Sequence, residues 1–379
     1  MFSKRFLLRR ENGTVRNSVL AGTVLVAGIW SAAVGAQQYP TITNPQSSAT
    51  ATTPGDWGGG WTEERMRKAR PMDVKRSGEP KAVPQAAPSP SGQPGVGGGI
   101  LPQAQAFAEP DAALWARAEE QLEGSPQPAD GGYPGPNLTF QVLDALYHTF
   151  PYTTAGKLFF RDPVRGIDFV CSAATTYGNS AFLNKIWTAG HCVAAGGENR
   201  FYTNWVYCPA YNNGVDPQFG CWTWASGTTT GEWFSNAAFS RDYAGITLLN
   251  TGSAHAAPVQ SITGALGFAW NWPRRQIWGH FGYPAASPYT GLKLIGTYAE
   301  HAFDDTPDTL GPPTISWGSM QTGGSSGSGL IFAWSFGGGY LNSNVSYGYS
   351  SQPGEIYGPY YDSVVCTFWK GFTGYAGNC

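Results

Sequence analysis

The stretch Gly324-Ser325-Ser326-Gly327-Ser328-Gly329 sets a hydroxyl among residues small enough for a tight backbone turn, which is the setting a nucleophilic serine needs. We take Ser326 as that hydroxyl. An alcohol attacks poorly near neutral pH unless a base takes its proton, a further group orients the base, and donors receive the oxyanion. The base is sought among five histidines, His148, His191, His255, His280 and His301. Of these, His191 has a chemical context: in Trp187-Thr188-Ala189-Gly190-His191-Cys192 an apolar strand runs into small residues, and a half-cystine can pin the imidazole. For the orienting carboxylate, the candidates between His191 and Ser326 are Asp216, Asp242, Asp304, Asp305 and Asp308, together with glutamates. Asp242 opens the apolar run Tyr243-Ala244-Gly245-Ile246-Thr247-Leu248-Leu249 and so stands at the mouth of a buried strand, whereas the other aspartates lie in turn-like surroundings.

Three motifs in the order His, Asp, Ser resemble the chymotrypsin-like (trypsin-fold) serine endopeptidases, and within them the glutamyl endopeptidase-like branch. The resemblance rests on Thr188-Ala189-Gly190-His191-Cys192, Asp242-Tyr243-Ala244 and Gly324-Ser325-Ser326-Gly327-Ser328, and it covers roughly residues 151–379. It implies an all-β fold of two packed antiparallel barrels, the first over about 150–260 and the second over about 270–379. It also implies catalysis by His191, Asp242 and Ser326, an oxyanion hole from the backbone N–H groups of Gly324 and Ser326, and a Cys171–Cys192 bridge. The rival reading takes Gly323-Gly324-Ser325-Ser326-Gly327 as the G-x-S-x-G elbow of α/β-hydrolases, but that fold places its histidine after the serine and none follows Ser326.

Specificity departs from the best-known relatives. A trypsin-like pocket carries an aspartate six positions before the nucleophile, where this chain has Met320; in glutamyl endopeptidases a histidine aligns with Val345. Met320, Gln321, Val345, Ser346, Tyr347 and Gly348 are therefore expected to line an apolar substrate pocket. Trypsin also activates by pairing a new amino terminus with an aspartate directly before the nucleophile. Here that position is Ser325, which carries no charge, so the oxyanion loop is expected to be pre-formed and any inhibition by the amino-terminal half to act by covering the cleft.

The elements that must position these residues are short strands. Past Thr139, apolar and aromatic runs alternate with Gly, Asn and Pro, which reads as many strands and few helices. Lys157 to Phe160, Phe169 to Ala173, Lys185 to Ala189 and Ala244 to Leu249 are expected in the first barrel; Ile277 to Phe281, Leu292 to Gly296, the run after Ser328, and Tyr340 to Tyr347 in the second. All six cysteines fall in this half, as expected of an exported disulfide framework. Neighbours in sequence are taken to pair, Cys208 with Cys221 and Cys366 with Cys379, each loop contributing about 3 kcal/mol. No C-x-x-C or Cys/His cluster at zinc spacing is present, and no metal or cofactor is expected.

The chain divides at 36 and 140. Basic residues followed by an apolar run from Val19 to Ala36, ending in Val34-Gly35-Ala36, read as a signal peptide over 1–36; an uncleaved anchor is the alternative, since the run is about as long as a membrane span. Residues 37–140 are rich in Pro, Gly, Ala, Ser and Gln, a composition that cannot bury enough surface to offset ordering, and read as a disordered pro-segment or linker before the protease domain at 141–379. Two helices are expected within it, one capped by Thr62 and stopping before Pro71, the other from Asp111 to Leu122. A net charge of −2 without a basic run argues against nucleic acid. The expected partner is a protein or peptide substrate met by a secreted monomer, extracellular or periplasmic, with no membrane contact once the leader is removed. The 15 Trp and 19 Tyr motivate the other class of reading, a non-catalytic secreted binding or adhesion protein on a protease-like scaffold.

Overall fold

The computed structural model describes residues 39–45, 56–83, 92–100, 134–335 and 338–379; the expected leader and the expected helix from Asp111 to Leu122 lie outside the described residues. The first half of the region past residue 150 is a closed antiparallel barrel built from β1 (Ala155–Asp162), β2 (Ile167–Thr175), β3 (Lys185–Thr188), β4 (Thr203–Pro209), β5 (Trp222–Thr229) and β6 (Ala244–Leu248). The strands pair in the order β5-β4-β1-β2-β3-β6, and a β5–β6 pairing closes the ring, while β2 meets β3 only at Ala174 and Thr175 and so keeps an edge at Phe169 and Val170 for another segment. The second half is a larger sheet of β7 (Gly267–Trp270), β8 (Ile277–Gly282), β9 (Ile295–Asp305), β10 (Thr314–Gly318), β11 (Gly329–Ser335), β12 (Gly338–Asn344) and β13 (Glu355–Gly358). These pair in the order β13-β10-β9-β8-β11-β12-β7, antiparallel except for the parallel β12–β7 pair.

Two strand boundaries differ from the sequence reading. Leu292 to Leu294 precede the ladder, which begins at Ile295, and the strand expected to reach Tyr347 leaves its ladder after Asn344. The sequence reading also misses the helix Ser363–Thr373. Its signals are present: Asp362 caps it by accepting from the Val364 and Val365 N–H groups, Gly374 ends it in a left-handed conformation, and Val365, Phe368 and Trp369 form one buried face. Phe368 of that face meets Trp187 and Tyr243 edge-on at 5.6 and 5.4 Å, which seats the helix against the strands that carry His191 and Asp242. Trp61, Trp187, Trp205, Trp222, Trp278, Trp317 and Trp369 are each less than 2% exposed. The aromatic richness that motivates a binding protein is thus largely consumed by the core. The three disulfides pair as expected, Cys171–Cys192, Cys208–Cys221 and Cys366–Cys379.

The described pieces of the amino-terminal segment are ordered where composition predicts disorder, because the barrels supply their hydrogen-bond partners. Thr41–Thr43 pairs with β5, Arg70–Pro71 with β2, Ala82–Val83 with β9, Gly95–Gly97 with β7 and Asn137–Gln141 with β9. The helix capped by Thr62 forms over Glu63–Lys68, with the Thr62 hydroxyl accepting from the Arg65 N–H. Arg65 then reaches out of the helix to Asp168 on β2 through Nε and Nη2, both at 2.8 Å.

Glu355 offers a test of this packing. It is 1% exposed at the start of β13, and burial raises its pKa to about 7, against the opposing effect of the Gly135 N–H, which donates to Oε2 at 2.8 Å. The folded form therefore holds the proton more tightly than the unfolded chain, so the stabilisation is complete below the ordinary glutamate range and is lost as pH rises to about 7. Glu355→Gln should flatten that dependence, the wild type losing about 3 kcal/mol relative to the variant over this window, read from denaturant melts across pH.

Candidate active site

Asp242 is fully buried at the entrance to β6 and is held from several sides. Its Oδ1 accepts the His191 backbone N–H at 2.7 Å, its Oδ2 accepts from His191 Nδ1 at 2.7 Å, and the Ser346 hydroxyl donates to the same Oδ2. A carboxylate only accepts, so a neutral imidazole in this position has its proton on Nδ1 and its lone pair on Nε2. That Nε2 is buried and makes no hydrogen bond among the described residues. Gly190 is required beside the pair, since a Cβ there would lie 2.8 Å from Asp242 Oδ1. The turn carrying Asp242 is anchored by its neighbour: Arg241 makes a two-pronged bridge to the helix-capping Asp362, with both contacts at 2.9 Å.

The loop of Ser326 is shaped by two glycines with φ of +100° and +81°, Gly324 and Gly327. A Cβ on Gly327 would come within 2.0 Å of Thr188 Oγ1 and 2.6 Å of the Ser172 carbonyl, so the loop can lie against the first barrel only with glycine there. Ser172 on β2 ties the two halves together: its N–H donates to the Ser326 carbonyl at 2.8 Å, and its hydroxyl donates to the Gly324 carbonyl at 2.9 Å while accepting the Tyr283 N–H. The other hydroxyls of the run are engaged. Ser325 donates to the Thr322 carbonyl at 2.8 Å, and Ser328 lies buried beside His280 Nε2 at 2.6 Å. His280 is an unsuitable base, since burial depresses its pKa to about 3 and no carboxylate among the described residues orients it. Ser326 Oγ donates to the Met72 carbonyl at 3.3 Å, and the Gly324 N–H donates to the same oxygen at 2.8 Å.

Of the six residues expected to line a pocket, Tyr347 and Gly348 border the cleft; the Gly348 N–H donates to the Val74 carbonyl. Met320 is 57% exposed. Gln321 is turned into the second sheet, where its Nε2 donates to the Ile295 carbonyl and Thr297 Oγ1. Val345 packs with Trp278, Trp317, Leu330 and Ile356 in a core cluster. Ser346, expected to contact substrate, instead donates to Asp242, and the adjacent Asn344 amide donates to the Asp242 carbonyl at 3.0 Å. Cys171 and Cys192 lie close to His191, but their sulfurs are joined in a disulfide and so offer no thiolate to a metal.

Comparison with solved structures gives the class. A thermostable serine protease, AL20, from an extremophilic microorganism is 33% identical over 59% of this chain and 98% of its own, with a TM-score of 0.52. The protease Anisep from Arthrobacter nicotinovorans is 30% identical over 62% of this chain and 100% of its own, also with a TM-score of 0.52. A Glu endopeptidase is similar at 16% identity and a TM-score of 0.48 over 65% of this chain and 99% of its own, a distance at which the likeness bears on neither substrate nor mechanism. No protein-family model and no curated protein matches the sequence. The chain belongs to the serine proteases of the chymotrypsin fold.

Two glycine replacements separate shape from propensity. Gly327→Ala should lower stability by roughly 2 kcal/mol or more, from the left-handed conformation and the clash together. Gly371→Ala, in the exposed interior of the helix with nothing within 4 Å of its Cβ position, should raise it by about 0.5–1 kcal/mol. Thermal or urea melts of the two variants check both signs.

Proposed function

We propose that the protein is a secreted serine endopeptidase acting through an acyl-enzyme. Ser326 attacks a peptide carbonyl while His191 Nε2 takes the hydroxyl proton, and the imidazolium then protonates the leaving amine. Water, deprotonated by the same nitrogen, attacks the ester and releases the carboxylic acid product. The Gly324 and Ser326 N–H groups receive the oxyanion in both halves. Asp242 keeps the proton on Nδ1 and offsets the charge on the imidazolium. The observation that carries this reading is the buried Asp242–His191 pair at 2.7 Å, which leaves a lone pair on Nε2 in a chain whose Ser326 lies on a glycine-shaped turn.

Export and maturation belong to the same proposal: a leader over 1–36, a pro-segment over 37–140 and a protease domain over 141–379. Three disulfides support an oxidising destination, and among the described residues no helix is long and apolar enough to cross a membrane. The residue before the scissile bond is proposed to be uncharged. Met320 offers no counter-charge, Val345 is core, and Glu355 is buried in an environment that favours its neutral form.

Ser326→Ala should abolish peptide turnover and labelling by a serine-directed organophosphonate while leaving the melting curve unchanged; labelling transferred to Ser325 or Ser328 would contradict the assignment. Asp242→Asn should lower kcat by roughly 10⁴-fold, because the amide favours the wrong tautomer. A peptide library should show no enrichment of Arg, Lys or Glu before the cleaved bond, and strong selection for any of them would refute the apolar pocket.

A further inference from the structure

Residues 70–76 run through the cleft beside Ser326. On one side Arg70 and Pro71 pair with Phe169 and Val170, and on the other Lys75 and Arg76 pair with Gly348 and Tyr349, both in parallel. The Met72 N–H donates to the Val170 carbonyl at 2.9 Å, and the Gly348 and Ser350 N–H groups donate to the Val74 and Arg76 carbonyls at 3.0 and 3.1 Å. Between these two pairings lies the Met72 carbonyl, which accepts both the Gly324 N–H and the Ser326 hydroxyl. An expected oxyanion donor and the nucleophile's own proton are thus held by one backbone oxygen.

This contact is unproductive. Attack requires the hydroxyl hydrogen to move to His191 Nε2 while the oxygen lone pair faces a carbonyl carbon. Here the O–H points at a carbonyl oxygen, and Nε2 has no partner among the described residues. Polarity points the same way. A peptide running in the other direction would meet the same two edges in an antiparallel ladder, the more stable arrangement per residue, so the segment lies opposite to the favoured direction of a substrate strand.

The side chain of Arg76 anchors the segment. Its guanidinium carbon lies 4.8 Å from the ring centre of Phe239, 5.4 Å from Tyr347 and 5.5 Å from Tyr349, and Nη2 donates to the Pro307 carbonyl at 3.3 Å. Behind the rings, buried Asp305 accepts both tyrosine hydroxyls. Phe239 is three residues before Asp242 and Tyr347 directly follows Ser346, so the cage is built on the two loops that hold the carboxylate.

We infer that residues 70–76 form a reversed inhibitory strand, anchored by Arg76 in the cage of Phe239, Tyr347 and Tyr349, and that this cleft surface fits an arginine-bearing strand of that polarity. The inhibitory role rests on the reading of Ser326 as a peptidase nucleophile; the occupancy of the cleft does not.

Two variants of the full chain test it. Arg76→Glu replaces the anchoring cation with a carboxylate, and Met72→Pro removes the N–H that donates to Val170. Amide hydrogen exchange at Gly324 and Gly348 reports whether the strand is seated, and organophosphonate acylation of Ser326 reports access to the nucleophile. Both variants should raise both rates roughly tenfold or more over the unaltered chain, with exchange in Ala244–Leu248 unchanged. Unchanged exchange at the two amides in both variants, or an unaltered chain that acylates as fast as the variants, overturns the inference. Faster exchange with no labelling of Ser326 in any of the three proteins supports the seated strand and overturns its inhibitory role together with the peptidase reading.

Discussion

A carboxylate with no exposure to water governs how this molecule is assembled. Removing a charged group from solvent costs several kcal/mol unless hydrogen bonds replace the lost hydration. Asp242 receives that replacement from His191, through both its backbone and its ring, and from the Ser346 hydroxyl. The first partner belongs to the loop after β3, while Ser346 belongs to the second half of the chain. Satisfying one buried charge therefore fixes the imidazole and brings the two halves into register. Arg241 and Asp362 extend the arrangement to the carboxy-terminal helix, whose Phe368 packs on the strands below.

The loop of Ser326 is positioned by backbone rather than charge. Ser172 bonds to the carbonyls of Gly324 and Ser326, and Gly327 lets that loop approach β2 and β3 to within a distance no side chain permits. His191 and Ser326 come from different halves, so their relative placement depends on the fit between the two rather than on either alone. The same junction makes the cleft, whose two strand edges, Phe169–Val170 and Gly348–Tyr349, offer unpaired backbone groups to an extended chain. In this structure a segment from the amino-terminal half takes them. A stretch poor in apolar residues is ordered there by hydrogen bonds to existing edges and by one arginine among three aromatic rings.

Much of this was legible in the residues themselves. His191, Asp242 and Ser326 each stand in a local context with its own chemical signature: a half-cystine beside an imidazole, an acid opening an apolar strand, a hydroxyl among glycines. The strand runs at Lys157, Phe169, Lys185, Ala244 and Ile277, the helix capped by Thr62, and the Cys208–Cys221 and Cys366–Cys379 bridges follow from apolar runs between turn residues, capping and cysteine proximity, all of which act over short stretches of chain, whereas the Cys171–Cys192 bridge was expected from the family resemblance. The helix at Ser363–Thr373 carried the same kind of signal in Asp362 and Gly374, and an all-β expectation obscured it.

Tertiary structure alone decided the rest. That Ser346 serves Asp242 while Val345, its neighbour, enters the core depends on where the chain leaves β12, and alternation along a strand does not specify that point. That Met72, some 250 residues before Ser326 in the chain, closes on that hydroxyl is a matter of carbonyl and N–H groups that nearly every residue possesses, so no side-chain pattern announces it. The sequence determines which groups can do chemistry, because reactivity resides in side chains. Which backbone edges remain open, and which distant segment pairs with them and in which direction, is decided only when the two halves have folded against each other.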